Sequence, residues 1–200
     1  MTEAVFDCMQ KRRSIRKFCD TCVEKPTVEK ILRAGTVAPS SKNNQPWRFV
    51  VVTGDAKKEL LAAMRGGLAR EKSNPLLPNS AKHLSGAWNT LQIMEEAPLV
   101  ILVLRAYGFG LSVLPSTEER VSEICDMQSL GACMQNMTLA ATAMGLGSLW
   151  ICDTFFAYAE LCAWLRRKES LAAAMAIGYP DERPAPRPRA DIEQITEWRE

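Results

Sequence analysis

From Met127 to Cys152 the chain runs for 26 residues without a charged side chain, and any fold must place that stretch away from bulk water. It is long enough to cross a bilayer, but its content argues otherwise. Gln128, Gln135, Asn136, Thr138 and Thr142 recur through it, Gly145 and Gly147 interrupt it, and neither flank carries a Lys/Arg cluster. The stretch therefore reads as the buried part of a helix covered by protein on nearly all sides. Ser116-Thr-Glu-Glu119 upstream is a capping box, in which a serine oxygen and a glutamate satisfy each other's exposed amides, and it opens a helix predicted to run to about Met144.

The other elements follow from periodicity and punctuation. Phe49 to Thr53 and Leu99 to Leu104 are short apolar runs of central-strand character, and SLWIC after Gly147 and AAAMAIGY before Pro180 supply two more. Helices are predicted near Val5 to Arg13, from Pro26 to Gly35, from Ala56 to Ala69, around Trp88 to Met94, and from Phe155 to Arg167. Glu71 to Ser80, with Pro75 and Pro78, reads as an irregular excursion. Four prolines between Pro180 and Pro188 forbid helix and predict an extended arm, followed by a short helical segment from Asp191 to Arg199. Mixed helices and strands around a small sheet result.

With 200 residues, 47% hydrophobic and 24% charged, the chain is expected to form one domain over residues 1–200. A net charge of +2 gives no field that would draw nucleic acid or an anionic membrane, and no basic face interleaved with aromatics is evident. Trp47, Trp150 and Trp164 lie in apolar surroundings that suit core packing. The N-terminus carries Glu3 and Asp7 and no signal-like apolar run, so a cytoplasmic location is expected. Cys8, Cys125, Cys133 and Cys162 sit within apolar helical patterns, so all seven cysteines are expected to be reduced. The Cys19-x-x-Cys22 pair lacks both the βα junction of a redox motif and the second pair of a zinc site.

Three segments carry chemistry. Lys11 to Lys17 holds five cations in seven residues with Ser14 among them, and guanidinium forks with a hydroxyl suit a phosphate. Arg183, Arg187 and Arg189 on the proline arm form a second cluster that could clamp the same anion. The loop Ala38 to Trp47 offers hydroxyls and amides beside a bulky aromatic, as a polar heteroaromatic ring requires. Phosphate-loop and dinucleotide-binding glycine patterns are missing, and His83 is the sole histidine, so catalysis would rely on a cofactor.

In their order and spacing these pieces resemble the nitroreductase family. Arg12-Arg-Ser14-Ile-Arg16, Ala38-Pro-Ser-Ser-Lys-Asn-Asn-Gln-Pro-Trp47, Gln135-Asn-Met-Thr-Leu-Ala-Ala, Gly145-Leu-Gly-Ser-Leu-Trp150, and Ile177-Gly-Tyr-Pro180 with the Arg187-Pro-Arg189 arm carry the resemblance over nearly the whole chain. It implies an α+β fold with a mostly antiparallel central sheet flanked by helices, in an intertwined homodimer with two interfacial FMN sites. It further implies that NADH or NADPH reduces FMN and that a small electron-poor acceptor, such as a nitroaromatic or quinone, reoxidises it. By matching position, Arg12, Arg13, Ser14, Arg16, Arg187 and Arg189 would hold the FMN phosphate, ribityl chain and part of the ring edge. Pro39, Ser40, Ser41, Asn43 and Gln45 would approach the flavin from the other subunit, and Trp150, Ile151 and Cys152 would place main-chain donors near its reactive nitrogen.

Residues 65 to 96 and 105 to 116 match none of these motifs and are expected to roof the pocket. Two alternatives accompany this reading. One is a flavoenzyme of the same fold with other chemistry, namely reductive dehalogenation, heterocycle oxidation or flavin fragmentation. The other is a non-enzymatic module that binds flavin or phosphate through the two arginine clusters alone.

Overall fold

Strand β2 (Leu99–Arg105) is buried at all seven positions because it is covered on both faces. A computed structural model describes residues 2–108, 110–111 and 114–200. Around β2 lie β1 (Trp47–Val52), β3 (Gly147–Ile151) and β4 (Ser170–Gly178). The sheet order is β1-β2-β4-β3, and each neighbouring pair is antiparallel. This is the α+β arrangement that the sequence implies.

Alternation along β2 divides the interior into two cores. Val100, Leu102 and Leu104 pack with Leu60, Met64 and Leu68 of a long helix, and with Leu91 and Met94 of another. Those helices are α3 (Gly54–Ser73) and α4 (Leu84–Glu96), following α1 (Thr2–Lys11) and α2 (Lys25–Thr36). Leu99, Ile101 and Val103 face the opposite way, against Ile31 of α2 and Leu130, Cys133, Met134 and Met137 of α5 (Thr117–Ala143). Each such fully buried side chain contributes roughly 1.5–3 kcal/mol. Helices α2 and α5 approach so closely at Gly35 that an added Cβ would lie 2.8 Å from Met137 Cγ and 2.9 Å from Cys133 Sγ.

Several boundaries differ from the sequence reading. The charge-free run is divided between the last two thirds of α5, a turn and β3. The helix is not enclosed on all sides either, since Met127 is exposed. Helix α3 continues through Gly66 and Gly67 to Ser73, taking in the start of the supposed excursion. Glu71 explains this extension. Its buried carboxylate accepts from the amides of Leu76 and Leu77 at 2.9 and 2.8 Å and from Arg70 Nη1 at 2.8 Å, tying the following turn to the helix.

Rather than roofing a pocket, much of 65–96 supplies core side chains beneath the sheet. Phe109, Ser112 and Val113, from the second unmatched segment, lie outside the described residues. The helix expected over 155–167 is a 3₁₀ turn (Asp153–Ala157) followed by α6 (Tyr158–Leu165), which ends at Arg166 in a left-handed conformation, φ 50°. Only Ile192–Ile195 is helical near the C-terminus, as α7, because no apolar face of that segment is buried to support more turns.

All seven cysteines are free; Cys133 is buried, while Cys8, Cys125 and Cys162 are half-buried on helix flanks. Trp47 is a core residue as expected, but Trp150 is 39% exposed. Position 150 sits on the edge strand, where the indole lies over Gly131 of α5 at the open margin of the sheet.

Candidate functional site

The chain leaves α1 at Lys11 and lies along the sheet margin instead of continuing as a helix. Ser14 forms a parallel bridge with Ser148 of the edge strand β3, and the Ile15 amide donates to the Ser148 carbonyl at 3.0 Å. Four residues on, Phe18 bridges Pro180, and the Cys19 amide donates to the Tyr179 carbonyl at 2.9 Å. The Asp181 amide returns a bond to the Lys17 carbonyl at 2.9 Å. The Glu182 carboxylate closes the junction by accepting the amides of both Arg16 and Lys17. The N-terminal cationic segment and the root of the proline arm are thereby interlocked.

This junction brings the two arginine clusters to one cleft of about 250 Å³, with Arg12, Arg13, Ser14 and Arg16 on one side and Arg187 and Arg189 on the other. Arg183 lies outside it, in a neighbouring depression. Arg13 Nη1 donates to the carbonyls of Gln10 and Arg12 at 2.5 and 2.8 Å, Arg16 Nη1 to that of Ser14 at 3.2 Å, and Arg189 Nη1 to that of Pro188 at 3.2 Å. Among the described residues, none of these five guanidinium groups has a carboxylate partner. Five like charges around one small concavity repel one another unless an anion lies between them. Forked donors and a serine hydroxyl match phosphate oxygens.

The loop at 39–45 lies elsewhere on the chain and does not line this cleft. Pro39, Ser41, Asn43 and Gln45 are exposed and Ser40 is half-buried. Lys42, Asn43 and Gln45 have φ of 52°, 53° and 46°, a left-handed backbone that costs non-glycine residues about 1 kcal/mol or more each. The loop is held there by Ser40 Oγ, which accepts the Gln45 amide at 3.0 Å, and by Ser129 Oγ of α5, which accepts the Ser41 amide at 3.3 Å. Three strained residues in seven exposed positions mark a surface shaped for contact rather than for packing.

Beside the cleft, the open edge of β3 supplies main-chain groups. Because the Ser148 carbonyl points outward to Ile15, the two-residue alternation turns the amide and carbonyl of Trp150 outward as well, while those of Ile151 face β4. The Ile151 side chain is buried, and Cys152 is exposed just past the strand. Burial and the neighbouring Asp153 carboxylate hold the Cys152 thiol above its ordinary pKa. Asp153 is itself fixed by Thr90 Oγ1 of α4 at 2.5 Å.

Residues that the sequence reading did not single out also shape the site. Met9, Gln10 and Pro184 line the cleft, and Glu182 sets the path of Arg16. Glu182 had one visible signal, as an acidic residue set among the cations and prolines of the arm. Among the described residues, no grouping of three or more His, Cys, Asp or Glu could hold a metal ion, and no helix is long and apolar enough to cross a membrane.

Comparison with known proteins agrees with this geometry. Residues 9–179 match the model of the Nitroreductase family. A Bacillus subtilis protein named as an NAD(P)H nitroreductase, YfhC, is 28% identical over 188 residues, covering 93% of this chain and 89% of that one. A 5,6-dimethylbenzimidazole synthase of Rhodospirillum rubrum is 26% identical, over 88% of this chain and 89% of its own. Among solved structures, one from Desulfovibrio desulfuricans, described as a nitroreductase in complex with FMN, superposes with a TM-score of 0.73 at 28% identity, covering 98% of this chain and 96% of that one.

Proposed function

The chain belongs to the nitroreductase family, and on that premise we propose that it is an FMN-dependent NAD(P)H oxidoreductase whose flavin phosphate sits in the arginine cleft. The observation that carries the reading is the convergence of Arg12, Arg13, Arg16, Arg187 and Arg189, from opposite ends of the chain, on one cleft without a carboxylate among them. Ser14 adds a short hydroxyl donor. The Trp150 amide, at the open edge of β3, offers a hydrogen bond to a ring atom that gains electron density on reduction. Bound FMN supplies the two-electron chemistry, taking hydride from NADH or NADPH and passing the electrons to an acceptor such as a nitroaromatic or quinone.

The site is completed by a second copy of the chain. Pro39, Ser40, Ser41, Asn43 and Gln45 form a strained, exposed loop that does not reach its own cleft, which supports their serving the partner's. Val5 and Phe6 on α1, and Ile192, Ile195 and Trp198 beyond the arm, are apolar and exposed in the single chain. Surfaces of that kind favour association.

The test is the visible spectrum of the purified protein, with the chromophore identified after heat release, together with acceptor-dependent NADH and NADPH oxidation. The expected result is FMN, retained by the wild type and weakened in Arg12→Ala and Arg189→Ala by about 1.5–3 kcal/mol for each lost charge-assisted bond. Unchanged FMN affinity in both variants overturns the phosphate assignment. A light-scattering mass of one chain that still holds FMN overturns the shared site. Oxygen-dependent breakdown of the flavin without acceptor turnover would instead favour flavin fragmentation.

A further inference from the structure

On the other side of the molecule from the strained margin of the sheet, the β2–β4 ladder slips register. Val103 pairs Ala173 but Leu104 pairs Leu171, leaving Ala172 as an extra residue. The irregularity and the small side chain leave a cavity of about 570 Å³ between the end of β2, the first turns of α5, and α6. It shares no lining residue with the arginine cleft. Ile124, Met127, Phe155 and Leu171 make most of its wall apolar.

One polar group in that wall lacks a partner. Arg105 is 4% exposed, its Nε is bonded to Asp126 Oδ2 at 2.8 Å, and its Nη1 is buried with no hydrogen bond among the described residues. Gly108 passes so close that an added Cβ would lie 3.2 Å from Nη1 and 2.1 Å from Ser170 Oγ, so backbone walls the guanidinium on that side. Buried charged donors are costly to leave unmatched, and an acceptor atom brought into the cavity would match this one.

We propose that this cavity is a binding site for a neutral aromatic carbonyl compound, its ring system held by Ile124, Met127, Phe155 and Leu171 and its oxygen accepting from Arg105 Nη1. Shape and polarity suit such a ligand: a largely apolar concavity of drug-like size with one directed donor. The charges select a neutral ligand over an anion. Arg105 already has Asp126, and Arg120 at the rim already has Glu123 at 2.6 Å, so no unbalanced cation remains and a carboxylate faces the entrance. Tyr158, also in the wall, is held neutral far into the alkaline range, with burial as the main cause.

The experiment measures equilibrium binding of three probes to the purified full-length protein: 2-acetylnaphthalene, 2-ethylnaphthalene, which lacks the carbonyl, and 2-naphthoate, which adds a charge. The ketone is expected to bind at least tenfold more tightly than either of the others. Arg105→Met combined with Asp126→Leu removes the ion pair as a unit, so that no buried charge is stranded, and should abolish the preference of ketone over hydrocarbon. Ile124→Trp, at a half-exposed position on α5, fills the cavity without touching the ion pair and should abolish binding of both.

Equal affinity for ketone and hydrocarbon overturns the proposal, as does tighter binding of naphthoate. So does the absence of binding by any probe, as when a side chain from a second copy fills the space. A ketone that still binds the Ile124→Trp variant sits elsewhere, and this too overturns it. None of these outcomes depends on whether FMN occupies the arginine cleft.

Discussion

Gly147 and Ile15 meet with no room for a methyl group between them: a Cβ added at Gly147 would lie 2.7 to 2.9 Å from three side-chain carbons of Ile15. Gly147 does not need its freedom for an unusual backbone, since Gly54 and Gly145 are the glycines with positive φ. It is needed because the cationic segment must lie directly on the edge of the sheet, where Ile15 is fixed between Ser14 and Arg16. Gly147→Ala should push that segment outward and weaken FMN retention about tenfold, or about 1.4 kcal/mol. Replacing Ile15 by Ala in the same chain should restore part of the loss. Flavin fluorescence titration of the two variants checks both statements, and wild-type affinity in Gly147→Ala would refute the first.

Glu182 acts on the same segment from the other side, with one carboxylate accepting two successive amides, those of Arg16 and Lys17. Glu182→Ala leaves both donors without their acceptor and frees Arg16 to turn away from the cleft. The expected loss of FMN affinity is about 1–3 kcal/mol. Glu182→Gln, which keeps an acceptor oxygen but not the charge, should lose less. Equal losses in the two variants would mean that the charge, rather than the path of the backbone, is what matters.

How far the sequence discloses this site depends on the distance over which each signal acts. The capping box was legible because Ser116 and Glu119 are three residues apart, and both of its bonds are present, at 3.3 and 2.7 Å. The strand at Leu99–Leu104 was legible because burial on both faces demands an unbroken apolar run. The two arginine clusters were each visible as local composition, but their meeting depends on Ser14 with Ser148 and Phe18 with Pro180, pairings between residues far apart in the chain. The Arg105–Asp126 pair was invisible for the same reason, since an arginine closing an apolar run reads as an exposed strand end. The C-terminal segment failed differently. Its residues have helical propensity, but exposed Ile192, Ile195 and Trp198 gain nothing from packing in the single chain, and short helices need that gain.

Glu71 gives a prediction about stability alone. Burial by itself would raise its pKa, yet the amides of Leu76 and Leu77 and the Arg70 guanidinium outweigh that and hold the carboxyl below the usual range. Glu71→Ala removes the acceptor from all three donors while Arg70 keeps Glu160 at 2.6 Å. A loss of about 2–3 kcal/mol in urea unfolding is expected, because donors at this turn lose their acceptor in a poorly solvated place. A change within about 0.5 kcal/mol, the range of ordinary surface substitutions, would show that water replaces the carboxylate there.

Cys133 predicts how stability falls in alkali. It lies fully buried between α2 and α5, and burial pushes its thiol from 9.0 up to about 12. Below about pH 9 the thiol is protonated in both folded and unfolded chains, and it adds no pH dependence. Between about 9 and 12 the unfolded chain releases this proton while the folded chain keeps it. The folded state then binds more protons, and its stability declines as pH rises, by up to about 1.4 kcal/mol per pH unit for one thiol. Tyr158 adds a decline of the same sign from a higher starting point, 10.0. In Cys133→Ala the small cavity lowers stability at every pH, so the informative quantity is the slope of urea-unfolding free energy against pH through the alkaline range. That slope should be shallower than in the wild type, and parallel lines would mean that the thiolate is accommodated in the folded core.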